Sequence, residues 1–530
     1  MMNKVHRVHY ALFIIFLLPL LSHSCSTIVA GREATTTGAV IVSHSNDGDG
    51  DVAGNLRKVP PSSYTLPLNR SVSRGSIPQV AETVGYFTEG YAIMNEYQVA
   101  LGESTCVGIY PPGGGGILNI VDLGQLCLER SRSASECIDV MGSLASTYGY
   151  NDNAESLFVT DTVDAYVFHI LPSSTGTSSI WVAQLIPPSH VSAVMNAFII
   201  RNVDLSSDLY SSNLLYEASL LGWDPSTPLD FSLLFSGDNE GTCKYSSGRR
   251  VWSVFNNLSP SISLSPTYSS YLQSNYGVSH PPDKLVNATT LRTLMRDTFE
   301  GTPYALSTIP AGGPFSTPSR WVTPQLVSNE TVCWERSISI FRSIVTIVAE
   351  SRSWLPDPVG GLLHFTSHSS RAAIYSPFVV GMKVITPSYS SNSMATLGRG
   401  VSAFWGARYL YNILEIRADL AILDVREMQR YAEDVVGSNL TALVDDSYSS
   451  GSMSLQKAQD LYNTNAERNV VRMWDMSDEV VMNFADGYCN GCEEGPRHLG
   501  YPQSWLDEVY KREERVGKGK KGKKRKKGKK

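Results

Sequence analysis

No apolar run in this 530-residue sequence reaches the roughly 18 to 20 residues that a helix needs to cross a bilayer; the run from Ala11 to Leu21 stops at 11. Charge is scarce too, at 18% of residues against 42% apolar, which excludes disordered, collagen-like and coiled-coil chains and leaves a folded body. The formal net charge of -6 hides a split. Residues Gly517 to Lys530 carry ten of the 44 basic residues and no acid, leaving 34 basic against 50 acidic residues elsewhere, a net charge of -16. An acidic body has no general attraction for nucleic acid, so the tail alone is a candidate for anionic surfaces, and such runs are commonly just solvated.

Several chemistries are missing by motif. Without G-x-S-x-G there is no nucleophile-elbow serine hydrolase, and the GGGG at 113 to 116 lacks the Gly-Lys-Ser/Thr of a phosphate loop. Asp47, Asp49 and Asp51 alternate like the start of a calcium loop, but Val52 stands where that loop needs Gly and Lys58 where it needs Glu. His364 and His368 have the spacing of a zinc pair without the Glu that follows the first His. No metal and no cofactor is expected.

What is present starts at the N-terminus. Lys4 and Arg7 precede the apolar run and Ser22-His23-Ser24 follows it, the pattern of a secretory signal cut before Cys25. A soluble protein of the secretory pathway is expected, extracellular or in an endolysosomal or vacuolar lumen. Cysteines of an exported chain mostly pair. Beyond Cys25 there are seven, Cys106, Cys127, Cys137, Cys243, Cys333, Cys489 and Cys492, an odd number that leaves at least one free. Cys489-Asn-Gly-Cys492 has redox-motif spacing but no βαβ pattern near it, which favours a local disulfide or separate partners. Sequons at Asn69, Asn257, Asn287, Asn329 and Asn439 are compatible with a glycoprotein.

The expected layout is a signal at 1–24, one large α+β domain with helical additions at 25–505, and a basic low-complexity tail at 506–530. CSTIVAG and AVIVSHS read as a hairpin, and Tyr91 to Met94 with Val99 to Glu103 as a second, turning at Asn95-Glu96. Ser133 to Tyr148 reads as a helix with Ser133 and Glu136 as a capping box and Gly149 as its stop. Strand patterns run from Ser156 to Leu171 and Ile180 to Ile186, while Ser337 to Glu350 and Arg417 to Val436 read as helices.

A cysteine exposed as residue one holds nucleophile and base together. With a thiol pKa near 8.5 and an α-amino pKa near 7.7 to 8.0, proton transfer between them costs about 1 kcal/mol or less. Asp47 and Asn95, at the hairpin ends, are positioned by pattern to approach the start of the first strand.

The opening CSTIVAGREATTTGAVIVSHSNDGDG, with its leading Cys, its G-x-x-A-T segment and an Asp twenty-two residues on, resembles the N-terminal-nucleophile cysteine dipeptidases, the family of pepD-like dipeptidases and secernins. The resemblance continues through IPQVAET, YAIMNEYQVALGESTC, WVAQLIP, VMNAFIIRNVD, RRVW, RDTFEGTPY, AGGPFSTPSR, ESRSWLPDP and GYPQSW. It implies a four-layer αββα N-terminal-nucleophile hydrolase sandwich and hydrolysis of dipeptides through Cys25 and an acyl-enzyme. More distant likeness to penicillin V acylases and conjugated bile acid hydrolases implies that Asp47 holds the amino terminus, that Asn95 and Asn196 supply oxyanion or substrate hydrogen bonds, and that Arg250 sits near the nucleophile. Those relatives carry an Arg three before the Asp, where this chain has His44. An amidase acting on N-acyl compounds and a non-catalytic exported binding module with the same fold are the alternatives; the oligomeric state is left open.

End sequencing or intact mass of the exported protein should return Cys25 as its first residue. A chain that begins upstream, or is blocked at that residue, keeps the thiol but lacks the free α-amine that serves as its base.

Overall fold

A computed structural model describes residues 25–48, 52–237, 244–273, 275–320, 325–327, 330–332, 335–492 and 494–511. Residues 1–24, where a secretory signal is expected, Asp49, Asp51, Cys243, Asn329, Cys333 and the Lys-rich run from Gly517 lie outside the described residues.

The principal strands are β1 (Ser26–Ala30), β2 (Val40–Asp47), β3 (Arg57–Val59), β4 (Tyr86–Thr88), β5 (Ala92–Asn95), β6 (Ala100–Cys106), β7 (Ala154–Thr160), β8 (Ala165–Pro172), β9 (Ser179–Leu185), β10 (Val191–Val194), β11 (Leu209–Tyr210), β12 (Ser343–Ser351), β13 (Gly361–Ser367) and β14 (Ser376–Val379). They form an antiparallel six-stranded sheet, β10-β1-β2-β12-β13-β14, and an antiparallel eight-stranded sheet, β11-β9-β8-β7-β6-β5-β4-β3. Side chains alternate across a strand, so each sheet offers two faces, and here both are apolar. Val29, Val40 and Val42 of one sheet and Ala100, Phe158 and Val167 of the other belong to the apolar core that includes the space between the sheets. Ile28, Ala30 and Ile41 turn the other way, onto Val251, Val254 and Phe255 of helix α3 (Gly248–Leu258) and Leu291 and Leu294 of α4 (Ala288–Leu294). Leu101, Leu157 and Phe168 face Leu123, Leu126, Ile138 and Met141 of the helices α1 (Ile120–Arg130) and α2 (Ala134–Tyr148). Each such side chain, fully buried, contributes about 1.5–3 kcal/mol.

The sheets touch most closely at β6 and β2. Gly102 of β6 makes that approach possible: a Cβ there would lie 2.8 Å from both Ser43 O and Val42 Cγ2 and run into Thr27 Oγ1. Beyond β13 and β14, the helices Ala403–Leu414 and Leu455–Phe484 cover the end of the six-stranded sheet. No helix among the described residues is long and apolar enough to cross a membrane.

Both expected hairpins form, with Thr27 paired to His44 and Ala100 to Met94. Ser133 caps the helix Ala134–Tyr148 by accepting from Glu136 N, and Gly149 ends it at φ 74°. The reciprocal half of the capping box does not form, because the Glu136 carboxylate accepts from Arg132 N instead. Two expectations are corrected. The stretch Ser156 to Leu171 is a hairpin of two strands, since Asp161 Oδ1 accepts from Val163 N and Asp164 N and turns the chain. Ser337 to Glu350 is not a helix but leads into β12; its Ile, Val and Thr residues favour a strand, and burial on both faces removes the alternation that would announce one. At the other end, residues 503–511 are helical, so regular structure passes Trp505, where the sequence reading closes the body.

Gly102→Ala should destabilise the protein by about 1–3 kcal/mol, because the methyl group overpacks the meeting of the sheets. Thermal or urea unfolding measures this, and an unchanged midpoint would mean that the sheets can separate freely at β6.

Candidate active site

The β1 register sets the site. Ser26 pairs with Ser45 on one side and Thr27 with Val194 on the other, so the ladders, extended by one or two residues, place Cys25 between Asn46 and Asn196. Across β2, Asp47 pairs with Ser343 of β12. Residues from positions 25, 47, 196 and 343 thus meet at one end of the six-stranded sheet.

Beneath them lies the fully buried guanidinium of Arg250, from α3. Its Nη1 donates to the Cys25 carbonyl at 3.3 Å and to Ser26 Oγ at 2.9 Å. Its Nη2 donates to Met195 O at 3.1 Å and Asn196 Oδ1 at 2.7 Å, and its Nε to Ser246 O at 2.7 Å. Asn196 takes up φ 64°, a left-handed conformation that Asn tolerates better than most residues, and donates from Nδ2 to Thr105 O at 2.7 Å. Ser104 Oγ accepts from Asn196 N at 2.9 Å and donates to the Cys25 carbonyl at 3.3 Å. The fully buried Asp47 carboxylate accepts from Ser45 Oγ at 3.0 Å, Ser343 Oγ at 2.5 Å and Arg336 Nη2 at 2.5 Å. Arg336 also donates to Asn196 Oδ1 at 2.9 Å, closing a loop from Asp47 through Arg336 and Asn196 to Arg250. Burial pushes the Arg336 guanidinium down to about 10, which leaves it charged at neutral pH.

The Cys25 thiol sits beside carboxylates. Burial, followed by the negative charges of Glu103 and Asp47, pushes it well above the ordinary thiol range, opposed by a hydrogen bond from the Asp47 backbone. A ring nitrogen of His44 and a carboxylate oxygen of Glu103 lie with the sulfur in one cluster, all within 4.8 Å of one another. His44 Nδ1 is 2.9 Å from Glu103 O and 3.2 Å from Glu103 N, and its Nε2 is 3.9 Å from Glu89 Oε1. Burial raises the carboxyls of Glu89 and Glu155, the latter helped by the charge of Glu103.

Of the residues singled out in the sequence, Cys25, Asp47, Asn196 and Arg250 come together; Asn95 does not. It stays at the β5–β6 corner, where Oδ1 accepts from Tyr97 N and Val99 N and Nδ2 donates to Leu128 O at 3.1 Å and Ser131 O at 2.8 Å. From Val99 to Ser104, which meets Cys25, β6 runs roughly 17 Å at its rise per residue. With both amide hydrogens used to tie the hairpin to the helix Ile120–Arg130, Asn95 is a structural corner and not an oxyanion donor. Arg250 and Arg249 are also separated: Arg249 pairs with Glu335 at 3.0 Å and stacks on Tyr304. His364 Nε2 donates to Glu350 Oε1 at 2.8 Å, while His368 rests on Phe404 and Tyr411, so they form no metal pair. Arg296 binds Glu433 and Asp297 binds Ser253, both as internal ties. Cys127 bonds to Cys137 and Cys489 to Cys492, the local disulfide expected; Cys25 and Cys106 are free.

Sequence reasoning missed Glu103, Ser104, Arg336 and Ser343. Glu103 and Ser104 lie within the GESTC segment of the resemblance, which offered a signal that was not used. Arg336, 289 residues from Asp47, had none.

A buried cysteine, a carboxylate held by an arginine, and matched polar side chains around the cysteine carbonyl, all at the end of an α+β pair of sheets, describe a thiol hydrolase. A family model agrees over most of the chain: peptidase family C69 matches residues 24–431, which include every residue of this site. The chain belongs to that family of cysteine peptidases. No curated protein matches it.

Asn95→Ala should lower stability by about 2–4 kcal/mol through four lost hydrogen bonds while leaving turnover per folded molecule unchanged. Unfolding midpoints and active-site titration separate the two effects; a hundredfold fall in turnover would restore Asn95 to the chemistry.

Proposed function

We propose that this chain is a dipeptidase whose nucleophile is the N-terminal cysteine released by cleavage after Ser24, in an αββα sandwich of the N-terminal-nucleophile type. The convergence of Asp47, Asn196, Arg250 and Ser104 on Cys25 carries this reading. While Cys25 is internal, its thiol is held protonated by burial and by Glu103 and Asp47. Cleavage creates an α-amine at the same residue. Protonated, that amine is an opposite charge beside the sulfur, favouring the thiolate; neutral, it is the base that takes the thiol proton.

In the proposed cycle the sulfur attacks the peptide carbonyl, an acyl-enzyme forms, and the Cys25 amine protonates the departing amino acid. Water activated by the same amine then completes hydrolysis. Asp47, held by Arg336 and Ser343, orients the amine. Arg250 and Ser104 hold the Cys25 carbonyl and so fix where the sulfur points. The Asp47 backbone N–H directed at the sulfur is a donor available to the oxyanion. The acidic surroundings favour a dipeptide with a free ammonium group over an N-acyl compound, which offers no cation to Glu103. A secretory compartment and contact of the Lys-rich tail with anionic surfaces belong to the same proposal.

Two measurements test it. The uncut chain should resist alkylation at Cys25 near pH 8, because a raised thiol pKa leaves little thiolate there, and should react only as pH rises further; the cut enzyme should react readily. Free dipeptides should turn over about 10–100-fold faster than their N-acetylated forms, the worth of one hydrogen bond to a charged group, and Cys25→Ala should abolish both activities. Faster cleavage of the N-acyl forms, or activity surviving in Cys25→Ala, would sink the reading.

A further inference from the structure

We propose that the Cys25 centre is also a binding site for Zn2+, in which the metal takes the nucleophile out of action. Three chemically different ligand atoms converge there: the Cys25 sulfur, a His44 ring nitrogen and a Glu103 carboxylate oxygen, all within 4.8 Å of one another and all on buried residues. Two of these side chains have unused capacity. Among the described residues, His44 Nε2 makes no hydrogen bond although it is fully shielded from solvent, and Glu103 Oε2 is outside any regular hydrogen bond, with the thiol and the Glu155 carboxyl close to that carboxylate. A buried polar atom left so carries a desolvation cost that a ligated cation would offset.

The second nitrogen of His44 is arranged as in zinc sites. Nδ1 lies 2.9 Å from Glu103 O, closer than the 3.2 Å to Glu103 N. Glu103 N–H donates to Nδ1; zinc would select the other tautomer, in which Nδ1–H turns to the Glu103 carbonyl and Nε2 carries the lone pair, as a backbone acceptor commonly arranges for a metal-bound histidine. Glu103 Oε1 is steadied in turn by Thr105 Oγ1 at 3.0 Å. Further acids stand close by, Glu89 at 3.9 Å from His44 Nε2 and Glu155 beside Glu103, and a bound cation would favour their ionised forms. Sulfur, imidazole nitrogen and carboxylate oxygen together suit Zn2+ better than Mg2+ or Ca2+, which take oxygen alone.

On binding, a Zn–S bond forms as the thiol S–H bond breaks, and the proton leaves to solvent. The sulfur's electron pair then belongs to the metal and is withdrawn from attack. The fourth position takes water or, if the cleavage proposed above occurs, the Cys25 amine, which closes a five-membered S,N chelate. The three side-chain ligands do not depend on that cleavage. This role explains a chemical feature of His44 that hydrolysis leaves unused, a shielded ring nitrogen without a hydrogen bond.

The test uses the full processed protein, freed of metal by chelation and titrated with Zn2+ and with Co2+ as a spectroscopic probe. One Zn2+ should bind per chain, hydrolysis should fall in step with occupancy and return with chelator, and Co2+ should give a thiolate-to-cobalt charge-transfer band. His44→Gln and Glu103→Gln should each weaken Zn2+ by more than about a hundredfold, beyond the roughly 10–100-fold typical of losing an outer partner. Absence of the charge-transfer band in the unsubstituted protein overturns the site even if the variants fail to fold, as does affinity unchanged in both variants. Dipeptide hydrolysis without Zn2+ uptake would overturn the metal site and leave the peptidase standing; Zn2+ uptake by a chain that hydrolyses nothing would do the reverse.

Discussion

The fully buried Arg250 guanidinium is the constraint around which this end of the molecule is organised. A buried cation costs several kcal/mol unless it is matched, and a guanidinium offers five N–H donors in a fixed plane. Here they meet Cys25 O, Ser26 Oγ, Met195 O, Asn196 Oδ1 and Ser246 O, so one side chain binds the start of β1, the end of β10 and the beginning of α3. Removing it would take a buried donor from each of those acceptors, of which Cys25 O would keep only Ser104 and Asn196 Oδ1 only Arg336 among the donors described. The left-handed Asn196 is part of the same solution, since its oxygen accepts from both Arg250 and Arg336 while its amide holds Thr105.

Around that anchor the charges are deliberately unequal at the sulfur. Asp47 is neutralised by Arg336, whereas Glu103, Glu89 and Glu155 have no comparable cation among the described contacts. Such an acidic pocket resists a bare thiolate and welcomes a cation. An α-ammonium, a substrate ammonium and a divalent metal are three ways of supplying one. They compete for the same electrostatic niche, which connects the proposed activation by cleavage, the preference for free dipeptides and the proposed silencing by zinc.

Much of the local structure was legible because its cause is local. Ser133 and Gly149 bound a helix by capping and by positive φ, and the two hairpins appear at their turn residues. The errors have equally physical origins. In β12 the run from Ile344 to Val348 is buried on both faces, so the strand loses its alternation and imitates a helix. Asn95 looks catalytic from its place at a hairpin end and from the distant likeness to acylases, yet an Asn with both amide hydrogens committed to Leu128 and Ser131 has nothing left for a substrate.

The sequence by itself determined the chain's class of chemistry: a cysteine after a secretory pattern, a spaced Asp, and a resemblance running nearly to Trp505, matched by family C69 over residues 24–431. The resemblance also marked Asp47, Asn196 and Arg250, the last chosen over Arg249 by alignment alone. Only the tertiary structure decided which of two adjacent arginines reaches the nucleophile, that Arg336 holds Asp47 from 289 residues away, and that His44 and Glu103 stand beside the sulfur. The reason is that strand order and register, set by apolar faces distributed along the whole chain, bring these residues together; no spacing in the sequence encodes a contact made between two different strands or between a helix and a sheet end.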